Sequence, residues 1–253
     1  MFFLDLFQAN LKTSFMGRKT EYLRFTNSTN EDCWEFCEED CNEGTIIITD
    51  DQRKGKGRRG NDWNSSPGKG LTFSFLLKPQ LELDQLGLLP LLTGIAVAQG
   101  INSLISLDIG LKWPNDIMAG AKKTGGILIE SKSTPNGLAV VIGVGININE
   151  EEYDFPDELQ NSATSLLING GKSLQREPLL AAILNKFESL YLDNFETIPR
   201  LWLDHCIHIE DTVTFHDGAI SHSGVFQGIN DKGQALIQAD DSTSTFSAGV
   251  VKL

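Results

Sequence analysis

Positive charge is scarce in this chain of 253 residues, which contains 21 Lys and Arg against 34 Asp and Glu and carries a formal net charge of −13. A protein that binds nucleic acid or an anionic membrane mainly through charge has the opposite balance. The sequence also lacks an uninterrupted apolar run of the length that a membrane span needs. We therefore expect neither a nucleic-acid partner nor a membrane partner.

Cysteine is sparse as well, with four in the chain, and these do not form the dense pattern of a small secreted domain. The N-terminal stretch is apolar but has no basic region and includes Asp5, so it does not resemble a signal peptide. Both observations favour a cytoplasmic location. Cys33, Cys37 and Cys41 recur every four residues on one predicted helical face. Their spacing matches no standard zinc or iron–sulfur site, so we interpret them as buried thiols.

The few cationic residues are concentrated in one short loop. Its charged side chains are Arg53, Lys54, Lys56, Arg58 and Arg59, and its glycines are Gly55, Gly57 and Gly60. Like charges at this density repel one another unless an anion neutralises them. Glycine leaves backbone N–H groups uncovered, so the loop has the composition of a phosphate or carboxylate site. The alternative interpretation from this loop alone is a solvated basic segment.

Two familiar nucleotide motifs do not account for this loop. The glycines match G-x-G-x-x-G, but the turn-forming residues 61–68 follow where a dinucleotide site requires a helix. A Walker A motif requires Gly-Lys-Ser/Thr at its end, and Gly60 is followed by Asn61. The loop therefore predicts an anion site of another kind.

Hydrophobic patterning predicts an α+β protein with a mixed β-sheet flanked by helices. Strands are expected at 22–25, 44–49, 71–77, before the turn at 114–116, within 122–130 and at 138–148; helices are expected from about 31, at 83–104 and at 177–195. After His205 the sequence changes to short β segments separated by turn signals. We expect a catalytic domain over residues 1–207 and a small β-barrel domain over residues 208–253.

Several polar motifs follow the predicted strands, and each has a structural explanation of its own. The group Ser28-Thr29-Asn30 can cap a helix, and Asn115-Asp116 suits a turn after Pro114. Lys123 precedes a glycine pair, and the buried strand at 138–148 contains two more glycines. Glycine inside a buried strand indicates the close approach of another backbone or of a ligand.

Together and in this order, the motifs resemble the biotin–protein ligase family over nearly all of the chain from Glu21 onward. The residues that carry the resemblance are Ser28, Thr29, Asn30, Gln52, Gly55 to Gly60, Trp63, Lys112 to Asp116, Lys123, Gly125 to Glu130, and Gly143 to Asn147. The last 46 residues are similar to the SH3-like C-terminal domain of that family. The resemblance therefore implies the same two-domain fold.

The resemblance also implies a reaction, in which biotin and ATP form biotinyl-5′-AMP with Mg2+ and the biotinyl group then passes to a lysine of a carrier protein. Lys123 and Arg58 would be catalytic. The substrate-binding residues would be Ser28, Thr29, Asn30, Gln52, Gly55, Lys56, Gly57, Arg58, Arg59, Trp63, Lys112, Trp113, Asn115, Asp116, Lys123, Gly125, Gly126 and Asn147. Ser28, Thr29 and Gln52 would bind the ureido head and Trp113 the apolar tail. Asn115 and Asp116 would lie near the nucleotide and metal, although the resemblance identifies no metal ligands.

The sequence departs from the family pattern at two points. Lys56 stands where the family usually has Arg, which keeps the charge and loses bidentate geometry. Only 27 residues precede Ser28, too few for the DNA-binding domain of bifunctional members, so we expect a ligase without repressor activity. The expected partner is the biotin carboxyl carrier domain of a carboxylase, and the expected state is a monomer or weak homodimer.

Two other functions stay open at this point. A lipoate or octanoate ligase or transferase shares the catalytic fold, and a non-catalytic protein could sequester biotin or a nucleotide. The Ser-Thr-Asn group and the Arg-rich loop favour biotin over lipoate, and no cysteine lies in the site motifs to act as an acyl nucleophile. Lys123 favours catalysis over sequestration.

Overall fold

The computed structural model describes residues 1–38, 42–135, 137–217, 220–239 and 242–252. The helices in these ranges are α1 (Leu4–Asn10), α2 (Thr29–Glu38), α3 (Leu88–Asn102), α4 (Leu166–Gly170), α5 (Arg176–Tyr191) and α6 (Ile198–Leu203). The strands are β1 (Thr20–Leu23), β2 (Ile46–Thr49), β3 (Gly55–Lys56), β4 (Asp62–Trp63), β5 (Leu71–Leu77), β6 (Ile109–Lys112), β7 (Asp116–Ala119), β8 (Lys122–Thr134), β9 (Gly137–Ile146), β10 (Thr212–Asp217), β11 (Ile220–Ile229), β12 (Ala235–Ala239), β13 (Ser242–Phe246) and β14 (Val250–Lys252). Short 3-10 helices occupy Arg58–Gly60, Leu83–Gln85, Glu152–Asp154 and Phe195–Thr197.

The main sheet has seven strands in the order β1-β2-β5-β9-β8-β7-β6. It is mixed, because β1 and β2 are parallel and the other neighbours are antiparallel. Side chains alternate between its faces: Ile46 and Ile48 join the large core, whereas Ile47 packs with Cys33 and Val141. Apolar groups cover both faces, which explains why every residue of β2 and β5 is buried.

Helix α3 is the central helix of the large core. Its length and composition, taken over Leu83–Asn102, would by themselves allow it to cross a membrane. In the structure most of that segment is buried, and α3 packs against α5 and the main sheet. Pro90 lies in the first turn, where its missing N–H costs no helical hydrogen bond, so it does not break the helix. Gly94 lies against Leu111, and an added Cβ would approach that side chain at 3.2 Å.

The N-terminal segment is part of the fold, although the sequence predicted no element there. Phe2 and Phe7 are buried in the large core, and α1 packs on α5. The Glu188 carboxylate on α5 accepts hydrogen bonds from the backbone N–H groups of Ser14, Phe15 and Met16 at 2.5–3.0 Å. These bonds lower the pKa of Glu188 against the opposing effect of its burial, which is the largest influence on it.

The C-terminal sheet is antiparallel, with the strand order β13-β12-β11-β10-β14. Trp113 joins it to the main sheet, because its indole Nε1 donates to the Gly233 carbonyl at 3.0 Å and its ring lies 5.9 Å from that of Phe215. Lys232 adds an ion pair with Asp84. The α+β fold class, with a mixed sheet and a small C-terminal β-structure, is thus confirmed.

Some finer expectations have different outcomes. Residues 205–207 pair with the edge strand β6, so they extend the main sheet, and the domain boundary at 207/208 stays a prediction. Cys33 is a buried cysteine, as interpreted from the sequence. Cys41 lies outside the described residues, and the side chain of Cys37 is not described.

Candidate active site

The two parallel strands of the main sheet bring the first two polar motifs together. Strand β1 leads to Ser28-Thr29-Asn30 at the start of α2, and β2 leads to Gln52. Parallel strands end at the same edge of a sheet, and a residue bridge between Thr26 and Gln52 continues the pairing beyond the strands. The Thr29 backbone N–H then donates to Gln52 Oε1 at 2.9 Å. This edge forms one end of a cavity.

This end of the cavity is lined by buried polar groups without formal charge. Ser28, Thr29 and Asn30 are at most 5% exposed, so each needs hydrogen-bond partners inside the protein or from a ligand. Thr29 Oγ1 lies 2.7 Å from Ser74 Oγ, which in turn donates to Asn30 Oδ1 at 2.6 Å. We call Ser28, Thr29, Asn30 and Gln52 the neutral end.

The basic loop folds as a small hairpin over the cavity, with β3 paired to β4. The left-handed residues are Arg59, with φ of 57°, and Gly60, with φ of 76°. Gly57 has φ of −105°, so its position does not require a left-handed backbone. An added Cβ at Gly57 would instead lie 3.3 Å from the Asn61 carbonyl, which accepts its N–H at 2.7 Å. The glycine there permits a tight turn that places Arg58.

A cluster of cationic side chains lines the opposite end of the cavity. Asp116 forms ion pairs with Lys123 and with Lys112, the latter at 3.4 Å. Arg58 Nη1 donates to Asn115 Oδ1 at 3.3 Å. Burial, and then the neighbouring Arg59, lower the pKa of Arg58, while Asp116 opposes them. We call Arg58, Lys112, Asn115, Asp116 and Lys123 the cationic end.

Glycines of β8 and β9 form the floor between the two ends. A Cβ added to Gly143 would lie 2.2 Å from Asn30 Oδ1, and one added to Gly145 would lie 2.4 Å from the Trp63 indole. The Trp63 ring therefore lies directly on the strand backbone. Its Nε1 is buried and has no hydrogen-bond partner within the described part of the chain. A ligand that accepts this N–H would satisfy it.

Most of the predicted site residues line this one cavity. Those that do are Ser28, Thr29, Asn30, Gln52, Lys56, Gly57, Arg58, Arg59, Trp63, Lys112, Trp113, Asn115, Asp116, Lys123 and Gly126. Lys56 is an exposed member whose Nζ lies 2.5 Å from Glu31, and that pairing raises its pKa. The buried Trp113 indole uses its only donor on Gly233 of the C-terminal sheet, so it offers a ligand apolar surface alone.

Three predicted residues do not line the cavity, and their contacts give the reason. Gly55 packs inside the hairpin, where a Cβ would lie 2.5 Å from the Trp63 carbonyl. Gly125 packs against the Gly145 carbonyl, and a Cβ added to Gly125 would lie 2.9 Å from that oxygen. Asn147 donates its side-chain amide to the Thr164 carbonyl at 3.0 Å and thereby holds the loop that follows β9. For these residues the structure indicates supporting roles.

Sequence reasoning missed several lining residues. Thr72 comes from the buried strand β5, and Gly249 and Val251 come from the end of the C-terminal sheet. Polar residues inside a fully buried strand were a usable signal for Thr72. No local pattern could have placed Gly249 or Val251 there, because their position depends on how the two sheets pack.

Known proteins resemble this chain in both sequence and fold. A model of the biotin/lipoate A/B protein ligase family matches residues 22–147. The bifunctional ligase/repressor BirA of Bacillus subtilis (strain 168) is 34% identical over 248 residues, which cover 96% of this chain and 76% of that protein. The biotin–[acetyl-CoA-carboxylase] ligase of Mycobacterium tuberculosis is 28% identical over 243 residues, covering 92% and 88%.

The structure of a biotin protein ligase from Aquifex aeolicus in complex with biotin and ATP superposes with a TM-score of 0.80 and 28% identity, covering 93% of this chain and 98% of that one. Fold, cavity and relatives together define an enzyme of the ligase class. The chain belongs to the biotin/lipoate A/B protein ligase family, and its resemblance to the biotin–protein ligases is confirmed.

Proposed function

We propose that this ligase activates biotin with ATP as biotinyl-5′-AMP and transfers the biotinyl group to a lysine of a carrier protein. The observation that carries the proposal is the composition of the cavity, where a neutral hydrogen-bonding end and a cationic end share one lining. Biotin has the matching polarity, with an uncharged ureido head and a carboxylate at the end of an apolar tail. Ser28, Thr29 and Gln52 would hold the head, and the Trp113 ring would contact the tail.

In the first step, a biotin carboxylate oxygen attacks the α-phosphorus of ATP, and pyrophosphate leaves. Two anions must approach each other, so positioned cations lower the barrier by stabilising the charge in the transition state. Lys123 and Arg58 are the candidates for this role. The ion pair with Asp116 holds the Lys123 ammonium beside the floor, 3.3 Å from where a Cβ on Gly126 would lie. In the second step, a carrier lysine amine attacks the acyl carbon, and AMP leaves.

Mg2+ fits this site as a companion of the ATP phosphates. No group of three or more His, Cys, Asp or Glu side chains in the described ranges is arranged to hold a metal. Mg2+ commonly takes one or two carboxylates and completes its shell with phosphate oxygens and water. Asp116 would supply a carboxylate at the cationic end, with Asn115 beside it, and the ion would neutralise phosphate charge.

The relatives and the charge of the chain support the proposed setting. The M. tuberculosis relative is named for acetyl-CoA carboxylase, so we propose the biotin carboxyl carrier domain of a carboxylase as the partner. The net charge of −13 favours a protein without nucleic-acid or membrane partners. Such a carrier would be modified in the cytoplasm, and we propose a monomer or weak homodimer.

Pyrophosphate release tests the proposed function directly. The purified protein, Mg2+ and ATP are mixed with biotin, lipoate or octanoate, and pyrophosphate and AMP are measured with and without a biotin carrier domain. Of the three acids, we expect only biotin to give pyrophosphate. The carrier domain should become biotinylated only when biotin and ATP are both present. Pyrophosphate with lipoate or octanoate would assign another acyl substrate, and biotin binding without pyrophosphate would identify a sequestering protein.

A further inference from the structure

A chain of side-chain hydrogen bonds runs behind the neutral end of the cavity. Glu130 Oε2 accepts from Asn30 Nδ2 at 2.9 Å and from Trp34 Nε1 at 3.2 Å. Asn30 Oδ1 accepts from Ser74 Oγ at 2.6 Å, and Ser74 Oγ lies 2.7 Å from Thr29 Oγ1. Asn30 and Thr29 line the cavity, whereas Glu130 and Ser74 do not. Glu130 does not line the cavity, so its hydrogen bonds reach a ligand there through Asn30 and the side chains bonded to it.

The donor and acceptor in each of these bonds are determined from the Glu130 end. An ionised carboxylate only accepts, so Asn30 must present its amide nitrogen to Glu130 and its oxygen to Ser74. Ser74 must then donate its single hydroxyl proton to Asn30. With that proton committed, the short contact between Ser74 and Thr29 requires the Thr29 hydroxyl to be the donor. The chain of bonds thus has one direction, from Thr29 to Glu130.

The Gln52 amide is oriented from the same residue. The Thr29 backbone N–H can only donate, so the Gln52 atom at 2.9 Å must be the oxygen, and its Nε2 hydrogens stay available. Gln52 Oε1 also lies 3.2 Å from Thr29 Oγ1, but the hydroxyl proton is directed to the nearer Ser74 oxygen. The neutral end therefore offers acceptor lone pairs on Thr29 and donor hydrogens on Gln52.

We propose that Glu130 is a positioning residue that sets the hydrogen-bond polarity of the neutral end and thereby its selectivity for a cyclic urea. Such a head group presents N–H donors and a carbonyl acceptor, which match an acceptor on Thr29 and a donor on Gln52. This inference rests on the proposed function for the identity of the ligand. The direction of the hydrogen bonds is a property of the ligand-free protein and can be tested separately.

Two variants and one matched control test the chain of bonds. Glu130→Gln keeps the shape of the side chain but allows a donor to face Asn30, so the direction of the bonds is no longer determined. Ser74→Ala interrupts the chain without changing the charge. Glu35→Gln removes an equal charge from an exposed position on α2 and serves as the control. Each protein is studied by 15N NMR without ligand and by biotin-binding calorimetry and adenylation kinetics.

In the ligand-free spectra we expect Glu130→Gln to shift the Asn30 side-chain amide and the Trp34 indole resonances. Ser74→Ala should shift the Asn30 amide and leave the Trp34 indole near its wild-type position. Glu35→Gln should leave both resonances in place. An Asn30 amide unaffected by either variant would overturn the inference, whether or not the protein binds biotin.

With biotin, we expect Glu130→Gln and Ser74→Ala each to raise Kd and KM for biotin about tenfold, the usual effect of one misdirected hydrogen bond. Their kcat and KM for ATP should stay within about twofold of wild type, because the cationic end is unchanged. Equal losses for biotin and ATP would indicate a purely structural role and refute the assignment. If the wild type bound no biotin, the proposed function would fail, and the spectra would still decide the polarity.

Discussion

The two ends of the cavity differ in the interactions that their side chains can make. At the neutral end, buried hydroxyls and amides bond to one another in a defined direction, from Thr29 through Ser74 to Asn30. At the cationic end, Asp116 pairs with two lysines. Directional bonds distinguish one uncharged head group from another, whereas positioned cations act most strongly where negative charge accumulates during reaction. Binding and rate should therefore respond separately to changes at the two ends.

Among the variants that test this difference between the two ends, Lys123→Ala should have the largest effect. Loss of the ammonium removes transition-state stabilisation, so the rate of adenylation should fall by about two to three powers of ten, while biotin affinity changes little. Single-turnover kinetics and calorimetry measure the two quantities. Lys122→Ala is the matched control, because the exposed Lys122 Nζ donates to the Gln160 carbonyl on the surface. A wild-type adenylation rate in Lys123→Ala would remove Lys123 from the mechanism.

A second variant tests whether the pH response of the protein originates outside both ends. Glu150 lies after β9, is 1% exposed, and its carboxylate has no well-aligned partner in the described residues. Burial, the dominant cause, raises the pKa of Glu150 from 4.5 to about 7, with nearby Asp154 contributing and Lys69 opposing. A raised folded-state pKa makes the native state bind the proton more tightly. The stability this provides is complete below pH 4.5 and is lost as the pH rises through about 7.

Glu150→Gln should abolish this loss. The variant and the wild type should have similar free energies of unfolding near pH 4.5. Above pH 7 the free energy of unfolding should be higher for the variant, by at most about 3 kcal/mol. Urea unfolding at pH 5 and pH 8 measures the difference. If the free energy of unfolding changed equally with pH in the two proteins, Glu150 would not titrate in this range. The pH response would then have to originate in other groups, such as those that line the cavity.

At the neutral end, Thr29→Val should change binding and spare the rate. The substitution keeps the shape and removes the hydroxyl between Ser74 and the cavity, so KM for biotin should rise about tenfold with kcat nearly unchanged. Thr93→Val is the control, because the Thr93 hydroxyl donates to the Leu89 carbonyl within α3, away from the cavity lining. If Thr29→Val lowered kcat as much as it weakened biotin binding, the two ends would not be separable.

The smallest effect is expected from Trp113→Phe. Its indole lies near the cationic end, yet its donor is used on Gly233 of the C-terminal sheet. Removing the N–H leaves that carbonyl without its partner, so the free energy of unfolding should fall by about 1–2 kcal/mol. Adenylation per folded molecule should be nearly unchanged. A large loss of activity at full stability would show that the Trp113 N–H itself, beyond the apolar face of the ring, acts toward the substrate.

The sequence predicted the parts of the fold that depend on continuous hydrophobic patterns. Strand β5 occupies Leu71–Leu77 as expected, and β9 differs by one or two residues at its ends, because strands buried on both faces are mostly apolar. Helix α1 was missed, since its seven residues show no strong helical period and are stabilised by packing on α5. The helix expected at 83–104 is a 3-10 turn at Leu83–Gln85 followed by α3 at Leu88–Asn102.

The sequence likewise predicted some features of the candidate site and not others. Motifs at the ends of strands converge because the sheet topology brings their edges together, and this could be anticipated. The positions of the left-handed residues in the basic loop could not be anticipated, because Arg59 adopts φ of 57° whereas Gly57 does not have a positive φ. Ser74 was overlooked, although a hydroxyl between two buried phenylalanines must find a partner. Glu130 was part of a recognised motif, but its contact with Asn30 depends on how α2 packs on the sheet.

The cavity wall contributed by Gly249 and Val251 has a consequence for how the enzyme is made. The four residues of the neutral end lie between positions 28 and 52 and leave the ribosome early, whereas these two wall residues emerge some 200 positions later. A nascent chain therefore has no complete cavity until β14 has been synthesised and has paired with β10. Translation that stops before Gly249 would yield a polypeptide containing the proposed catalytic lysine and arginine in a cavity that lacks part of its wall.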